Sequence, residues 1–275
     1  MTTAALDTVN VNGMTIAYRE LGSGAPVVLL HGWPTSSFLW RNVMVPIARR
    51  NRVIAPDLPG FGASDKPVDL TYDFELFEET INELLAALDV SETGLAVHDL
   101  GGPIGLHWAV NQPARVTKLA LLNTLVYPDF SEAVMAFIKA CSEPALREQL
   151  TSPAGLEAAM GLGLADDANL TDEVIAGVRE PFGDDDSRRA LAAAGIGLRV
   201  EGFAEIERGL PSLRMPVRII YGERDRILPD VAQTMARVKQ DLPQAEVTAL
   251  PDCGHFLQEE EPDRIGAELA RFFAE

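Results

Sequence analysis

The sequence predicts an α/β protein, in which a mostly parallel central sheet is flanked by helices and a helical cap is inserted after the sixth strand. Three observations predict it. Short, continuously apolar runs such as Ala25–Leu30 and Arg52–Ala55 end in Gly- or Pro-rich loops, as buried parallel strands do, because neither of their faces meets water. Helical spacing follows them, as in Phe74–Leu88, where Phe77, Ile81, Leu84 and Leu85 share one face. From about Pro128 to Pro211 no strand is legible, and the strand pattern returns only after Pro216.

In chain order, Asp7–Val11 and Met14–Glu20 flank Asn12-Gly13, a hairpin signal. Strands follow at Ala25–Leu30, Arg52–Ala55, Gly94–Val97 and Lys118–Asn123, with helices at Phe74–Leu88 and Ile104–Val110. The insertion carries helical pieces at Glu132–Ala140, Ala145–Leu150, Gly155–Met160, Asp172–Val178 and Ser187–Ala194, separated by turn residues such as Ser152-Pro153 and Gly183. A strand in VRIIYGERD, a helix near Val231–Lys239, a strand at Glu246–Leu250 and a helix at Pro262–Phe273 close the chain. The expected organisation is one core domain from residues 1–127 and 213–275, with a helical cap, or lid, over 128–212. A chain of 275 residues suits one such domain better than two independent ones.

Composition narrows the function. With 47% hydrophobic residues, a large core can be buried. Acidic residues outnumber basic ones by 41 to 23, for a net charge of −18, which repels phosphate backbones and anionic membranes. Nucleic acid and membrane are therefore excluded as expected partners, and a small molecule is favoured. The two cysteines, Cys141 and Cys253, make no disulfide framework and suit a reducing compartment. The opening MTTAALDTVNVNG lacks the basic and apolar regions of a leader, and no apolar run reaches the roughly 18 residues that span a bilayer. The expected location is cytoplasmic.

In an open α/β sheet, ligands bind outside the carboxyl ends of the strands, so the informative polar residues are those just after strands. His98-Asp99-Leu100-Gly101-Gly102 follows a strand and opens a helix, the context of a nucleophile elbow, in which small residues let the chain turn sharply around one exposed side chain. The residue at the apex is Asp99. A carboxylate there can displace a leaving group at saturated carbon or open an epoxide, giving an alkyl-aspartyl ester; an aspartate in this place also makes a good helix N-cap. Hydrolysing the ester needs a base. His255, after the last strand, titrates near neutrality and can take a proton from water. Asp225 is the expected acceptor that orients it, with Glu223 and Asp230 as rivals, and the order nucleophile, acid, histidine is that of α/β hydrolases. His31 and His98 lie beside loop glycines and are expected to brace the site, whereas His107 falls within a helix. The backbone N–H groups of Trp33 and Leu100 are the natural donors to an ester oxygen. The Trp33 indole N–H either holds a leaving group or packs under the lid. No cofactor or metal is required.

Taken together, HGWPTSSFLWRNVM, APDLPGFGASDKP, VHDLGG, GERD and GHF resemble the haloalkane dehalogenase and epoxide hydrolase branch of the α/β-hydrolase superfamily, the first two segments being most similar to dehalogenases. The resemblance covers about residues 1–127 and 213–275. It implies an aspartate nucleophile and hydrolytic dehalogenation of small apolar haloalkanes, with epoxide hydrolysis by the same triad, or ligand binding on the same fold, as alternatives. Two departures stand out. Dehalogenases typically place a halide-holding tryptophan after the nucleophile, where this chain has Leu100, and often Asn or Glu after the HG pair, where it has Trp33. Epoxide hydrolases use lid tyrosines as proton donors, and here Tyr127, at the lid entrance, is the one candidate. Some relatives carry the catalytic acid after the strand preceding the lid. This chain has Asn123 there, which favours Asp225 and leaves Asn123 to donate into the site or to satisfy the strand end.

Overall fold

A computed structural model describes residues 4–274; the first three residues, part of the segment read above for a leader, and Glu275 lie outside the described residues. Eight strands form one sheet: β1 (Leu6–Val11), β2 (Met14–Gly22), β3 (Ala25–Leu30), β4 (Asn51–Pro56), β5 (Thr93–Asp99), β6 (Val116–Thr124), β7 (Val217–Gly222) and β8 (Glu246–Leu250). Their order is β1-β2-β4-β3-β5-β6-β7-β8. β1 pairs antiparallel with β2 and β2 with β4, and every other pairing is parallel. The first hairpin turns at Asn12 and Gly13, both at positive φ (50° and 84°), which two residues of that type accommodate with little strain.

The helices are α1 (Met44–Ile47), α2 (Phe74–Ala87), α3 (Gly101–Asn111), α4 (Glu132–Ser142), α5 (Pro144–Thr151), α6 (Pro153–Gly163), α7 (Asp172–Arg179), α8 (Asp185–Ile196), α9 (Val200–Gly209), α10 (Val231–Asp241), α11 (Leu257–Glu260) and α12 (Pro262–Ala274). Successive strand residues point to opposite faces, and the core divides accordingly. Val28, Leu30, Val97, Leu119, Leu121 and Ile219 join the core beneath α2, α3 and the inserted helices; Val27, Leu29, Ala96, Leu122 and Ile220 pack with α1 and α12. Burying both faces leaves β5 without an exposed residue, which explains its apolar sequence.

Six helices, α4 to α9, lie between β6 and β7. Five match the helical pieces expected there. The sixth, α9, was not anticipated, because Gly202 near its start depresses helix propensity. Packing reverses that preference: a Cβ at Gly202 would run into the Phe74 ring, so glycine is what lets α9 approach the core. Among the described residues no helix is long and apolar enough to cross a membrane.

The sheet places its reactive ends at a switch point. From β3 the chain moves outward to β4, then returns to lay β5 on the other side of β3. A crevice opens where the connections part, at the carboxyl ends of β3 and β5, and Trp33 and Asp99 lie there. Gly101 makes the junction possible, since a Cβ on it would collide with the His31 carbonyl and sit 2.7 Å from that of Leu30. Gly101→Ala should therefore lose at least about 2 kcal/mol of stability to overpacking against rigid backbone. Urea denaturation measures this, and an unchanged midpoint would contradict the packing argument.

Candidate active site

Asp99 ends β5 at φ 50°, in the left-handed region that a side chain with a Cβ enters only at a cost. Two contacts hold it there. Its carbonyl accepts from Thr124 Oγ1 at 2.6 Å, and its Oδ1 accepts from the Trp33 N–H at 2.7 Å. A Cβ on Gly32 would collide with the Asp99 carboxylate, so the glycine of the His31-Gly32-Trp33 segment is a steric requirement.

The structure brings Asp99, His255 and Asp225 together. His255 is fully buried, with Nδ1 2.7 Å from Asp225 Oδ2 and Nε2 3.4 Å from Asp99 Oδ2. The latter is long for a hydrogen bond, and Nε2 has no hydrogen-bond partner among the described residues. Asp225 is held on every side: Oδ1 accepts from the N–H groups of Ile227 and Leu228 at 2.8 Å each, and Oδ2 accepts from Asn123 Nδ2 at 2.7 Å. Asn123 is itself fixed, since its Oδ1 accepts from the Gly222 N–H at 2.9 Å. Of the rivals to Asp225, Glu223 is exposed and Asp230 stands at the start of α10.

Two of the other three histidines, His31 and His98, are tied to the backbone beside this group. His31 Nδ1 lies 3.0 Å from the Gly32 carbonyl, and its Nε2 accepts from the Leu58 N–H at 3.0 Å, so it is neutral with its proton on Nδ1. His98 Nε2 donates to the His255 carbonyl at 2.9 Å, and the two rings stand 4.7 Å apart. Tyr127 is a correction. Its hydroxyl donates to Asp241 Oδ2 at 2.7 Å, Arg237 lies 3.7 Å over its ring, and it is not among the residues lining the cavity. An acidic partner on α10 turns it away from the site.

Above Asp99 opens a cavity of about 590 Å³. Its walls are mostly apolar, Leu100, Phe130, Phe137, Leu198, Phe203 and Ile227 among them, with Gln149 and Arg226 as polar members. Trp33 lines it too, edge-on to Phe137, and its indole N–H is buried without a partner. A Cβ on Gly195 would lie 3.3 Å from that nitrogen, so the glycine leaves room beside the N–H. Leu100 contributes its side chain to the wall and its amide to the charge of Asp99. Among the described residues no group of three or more His, Cys, Asp or Glu side chains is placed to hold a metal ion.

This sheet, with an acid–histidine pair and an apex carboxylate at its carboxyl edge, defines an α/β hydrolase. A family model described as alpha/beta hydrolase fold matches residues 25–262. The chain is 30% identical over 274 residues to haloalkane dehalogenase 2 of Mycobacterium tuberculosis, covering 94% of this chain and 91% of that one. Among solved structures it is similar to the haloalkane dehalogenase DbeA from Bradyrhizobium elkani (28% identity, TM-score 0.85, 98% and 97% of the two chains) and to the epoxide hydrolase CorEH (25%, 0.84, 98% of each). The protein belongs to the α/β-hydrolase family, in its haloalkane-dehalogenase-like branch, and is a hydrolase.

Burial works against charge on His255, but the charge and hydrogen bond of Asp225, then the nearby carboxylate of Asp99, outweigh it and push the pKa up to about 10. Burial likewise works against ionised Asp99 and Asp225, and the imidazole holds both below the usual carboxylate range. His98 is dominated by burial, then by the charge of His255, and is pushed down to about 3. The two histidines therefore act oppositely on stability. The contribution of His255 is full below about pH 6.5 and is lost as pH rises towards 10; that of His98 is present above about 6.5 and is lost as pH falls towards 3. Imidazole NMR should find His98 neutral and His255 charged at pH 7, with the His255 midpoint lowered in Asp99→Asn. A neutral His255 at pH 7 in the unliganded protein would refute this charge assignment.

Proposed function

We propose that the protein is a hydrolytic dehalogenase of small apolar haloalkanes, with Asp99 as nucleophile, His255 as general base and Asp225 as the acid that orients it. One observation carries the reading: a carboxylate at the floor of an apolar cavity, with one oxygen held by a backbone N–H and the other facing an unpaired imidazole nitrogen. Asp99 Oδ2 forms a bond to the alkyl carbon as the carbon–halogen bond breaks, and the halide leaves with the electron pair. The Trp33 indole N–H, desolvated and free, supplies a donor for the developing anion.

Ester formation removes the charge of Asp99. His255 then loses one of the two carboxylates that raise its pKa, sheds its proton more readily and becomes competent as a base. Water adds to the Asp99 carbonyl carbon while His255 Nε2 takes a proton. The N–H groups of Trp33 and Leu100 hold the oxyanion, and collapse releases the alcohol and regenerates the carboxylate. The sum is haloalkane plus water giving alcohol, halide and a proton. Epoxide opening by the same triad, the activity in CorEH's name, would need a proton donor at the departing oxygen. Tyr127, expected to fill that role, is engaged with Asp241, which favours dehalogenation.

Bromide release from terminal bromoalkanes tests the proposal. Asp99→Asn is expected to lower it by about 10³-fold or more, as removal of a triad member does. Trp33→Phe should lower it about 10- to 100-fold, the worth of a buried hydrogen bond to a charged group. His255→Phe should trap an alkyl ester visible as a gain in protein mass. If the wild type releases no bromide and the His255→Phe variant gains mass only from epoxides, the reaction is epoxide hydrolysis instead.

A further inference from the structure

His255 is fixed through its backbone as well as its ring. Its N–H donates at 2.6 Å to the carbonyl of Gly163, the last residue of the inserted helix α6. The preceding N–H, of Gly254, donates at 2.6 Å to Glu260 Oε2. The other oxygen of the same carboxylate, Oε1, accepts from the Ala165 N–H at 2.6 Å and the Asp166 N–H at 3.4 Å. The two segments touch directly, since a Cβ on Gly254 would collide with the Gly163 carbonyl and sit 2.9 Å from the Ala165 nitrogen. Arg226 Nη2 strengthens the same junction by donating to the carbonyls of Gly161 and Leu164. Glu260 is half-buried, so water competes only partly for these bonds.

We propose that Glu260 is a positioning residue that couples the inserted helices to His255: by holding Gly254 on one oxygen and Ala165 on the other, its carboxylate sets the imidazole in register with α6. That helix lines the cavity through Gly155, Ala158, Ala159 and Leu162. A substrate packed against α6 therefore bears, through the Gly163–Asp166 segment and Glu260, on the residue that must activate water. The role of Glu260 rests on the reading of Asp99 and His255 given above. It predicts a defect confined to the second half-reaction, because displacement of halide uses Asp99 and Trp33, which Glu260 does not touch.

The test uses the full chain and two variants. Glu260→Ala removes the carboxylate. Ala165→Pro removes only the shorter of the two donors on the inserted side, and Leu164 before it is already extended (φ −88°, ψ 134°), as a residue before proline must be. Rapid quenching with a bromoalkane, followed by bromide assay and protein mass, separates the two half-reactions. In Glu260→Ala the bromide burst should keep its rate within about 2-fold while ester hydrolysis slows by about 10- to 100-fold, the effect of a displacement near 1 Å at a reacting group. Alkyl-enzyme then accumulates in the steady state. Ala165→Pro should slow hydrolysis in the same direction and by less. Equal loss of both half-reactions, or of neither, in a Glu260→Ala protein that retains its melting temperature would overturn the proposal. A normal Ala165→Pro beside a slow Glu260→Ala would overturn the coupling to the inserted helices. One readout needs no substrate and so separates this inference from the dehalogenase reading: the His255 titration midpoint should fall in Glu260→Ala as the ring loosens from Asp225. An unmoved midpoint counts against Glu260 even if the protein proves to act on another substrate.

Discussion

Two carboxylates buried around a single imidazole are the constraint on which the rest of this structure depends. Removing one partner from a buried ion pair strands the other charge at a cost of about 3–5 kcal/mol, so Asp99, His255 and Asp225 stand or fall together. The chain meets that demand with dipoles aimed at each oxygen. Trp33 N–H serves one Asp99 oxygen, Ile227 and Leu228 N–H serve one Asp225 oxygen, and Asn123 shares the other with His255. Among the described residues His255 Nε2 has no hydrogen-bond partner, and Asp99 Oδ2 stands 3.4 Å from it. Such an arrangement stores one unmet hydrogen bond where the proposed water would be activated.

Parallel strands make this charge cluster affordable. Their carboxyl ends converge on one edge, so Trp33 after β3, Asp99 at the end of β5, Asn123 near the end of β6, Asp225 after β7 and His255 after β8 reach one point from five strands. The strands are locked by apolar packing on both faces, which lets two residues at the edge hold positive φ, Asp99 at 50° and Asn123 at 28°. In β6 that backbone turn aims the Asn123 side chain at Asp225 instead of the solvent.

How much of this the sequence revealed follows from the range of each interaction. That Asp99, His255 and Asp225 come together was legible because each stands at or soon after the end of a strand in a fixed order, a local signal. The eight strands and five of the six inserted helices were legible from periodicity. Helix α9 was not, because Gly202 is there for the Phe74 ring, and that contact joins residues distant in sequence. Tyr127 misled for a related reason: its position at the start of the insertion is local, but the direction of its hydroxyl is decided by Asp241, over a hundred residues away. Asn123 was half legible, its place at a strand end being plain and its partner hidden. Glu260 was invisible, since an acidic residue in a run of three glutamates reads as surface charge until its backbone partners are known.

Leu100 sharpens the argument about the leaving group. A side chain that cannot donate stands beside the nucleophile, leaving the Trp33 indole as the buried, unpaired N–H in the cavity wall. A buried donor among apolar side chains is worth more than one in water, because solvent competes less and the local dielectric is lower. It still stabilises a departing anion less than two donors would. For the proposed reaction, such a site would favour leaving groups whose charge is diffuse and whose bond to carbon is weak, and so bromide and iodide over chloride. The same apolar wall raises the cost of the concentrated alkoxide charge that an epoxide would develop. The apolar lining and the buried, unpaired indole N–H of Trp33 thus support halide departure as the proposed first step, on grounds separate from any resemblance.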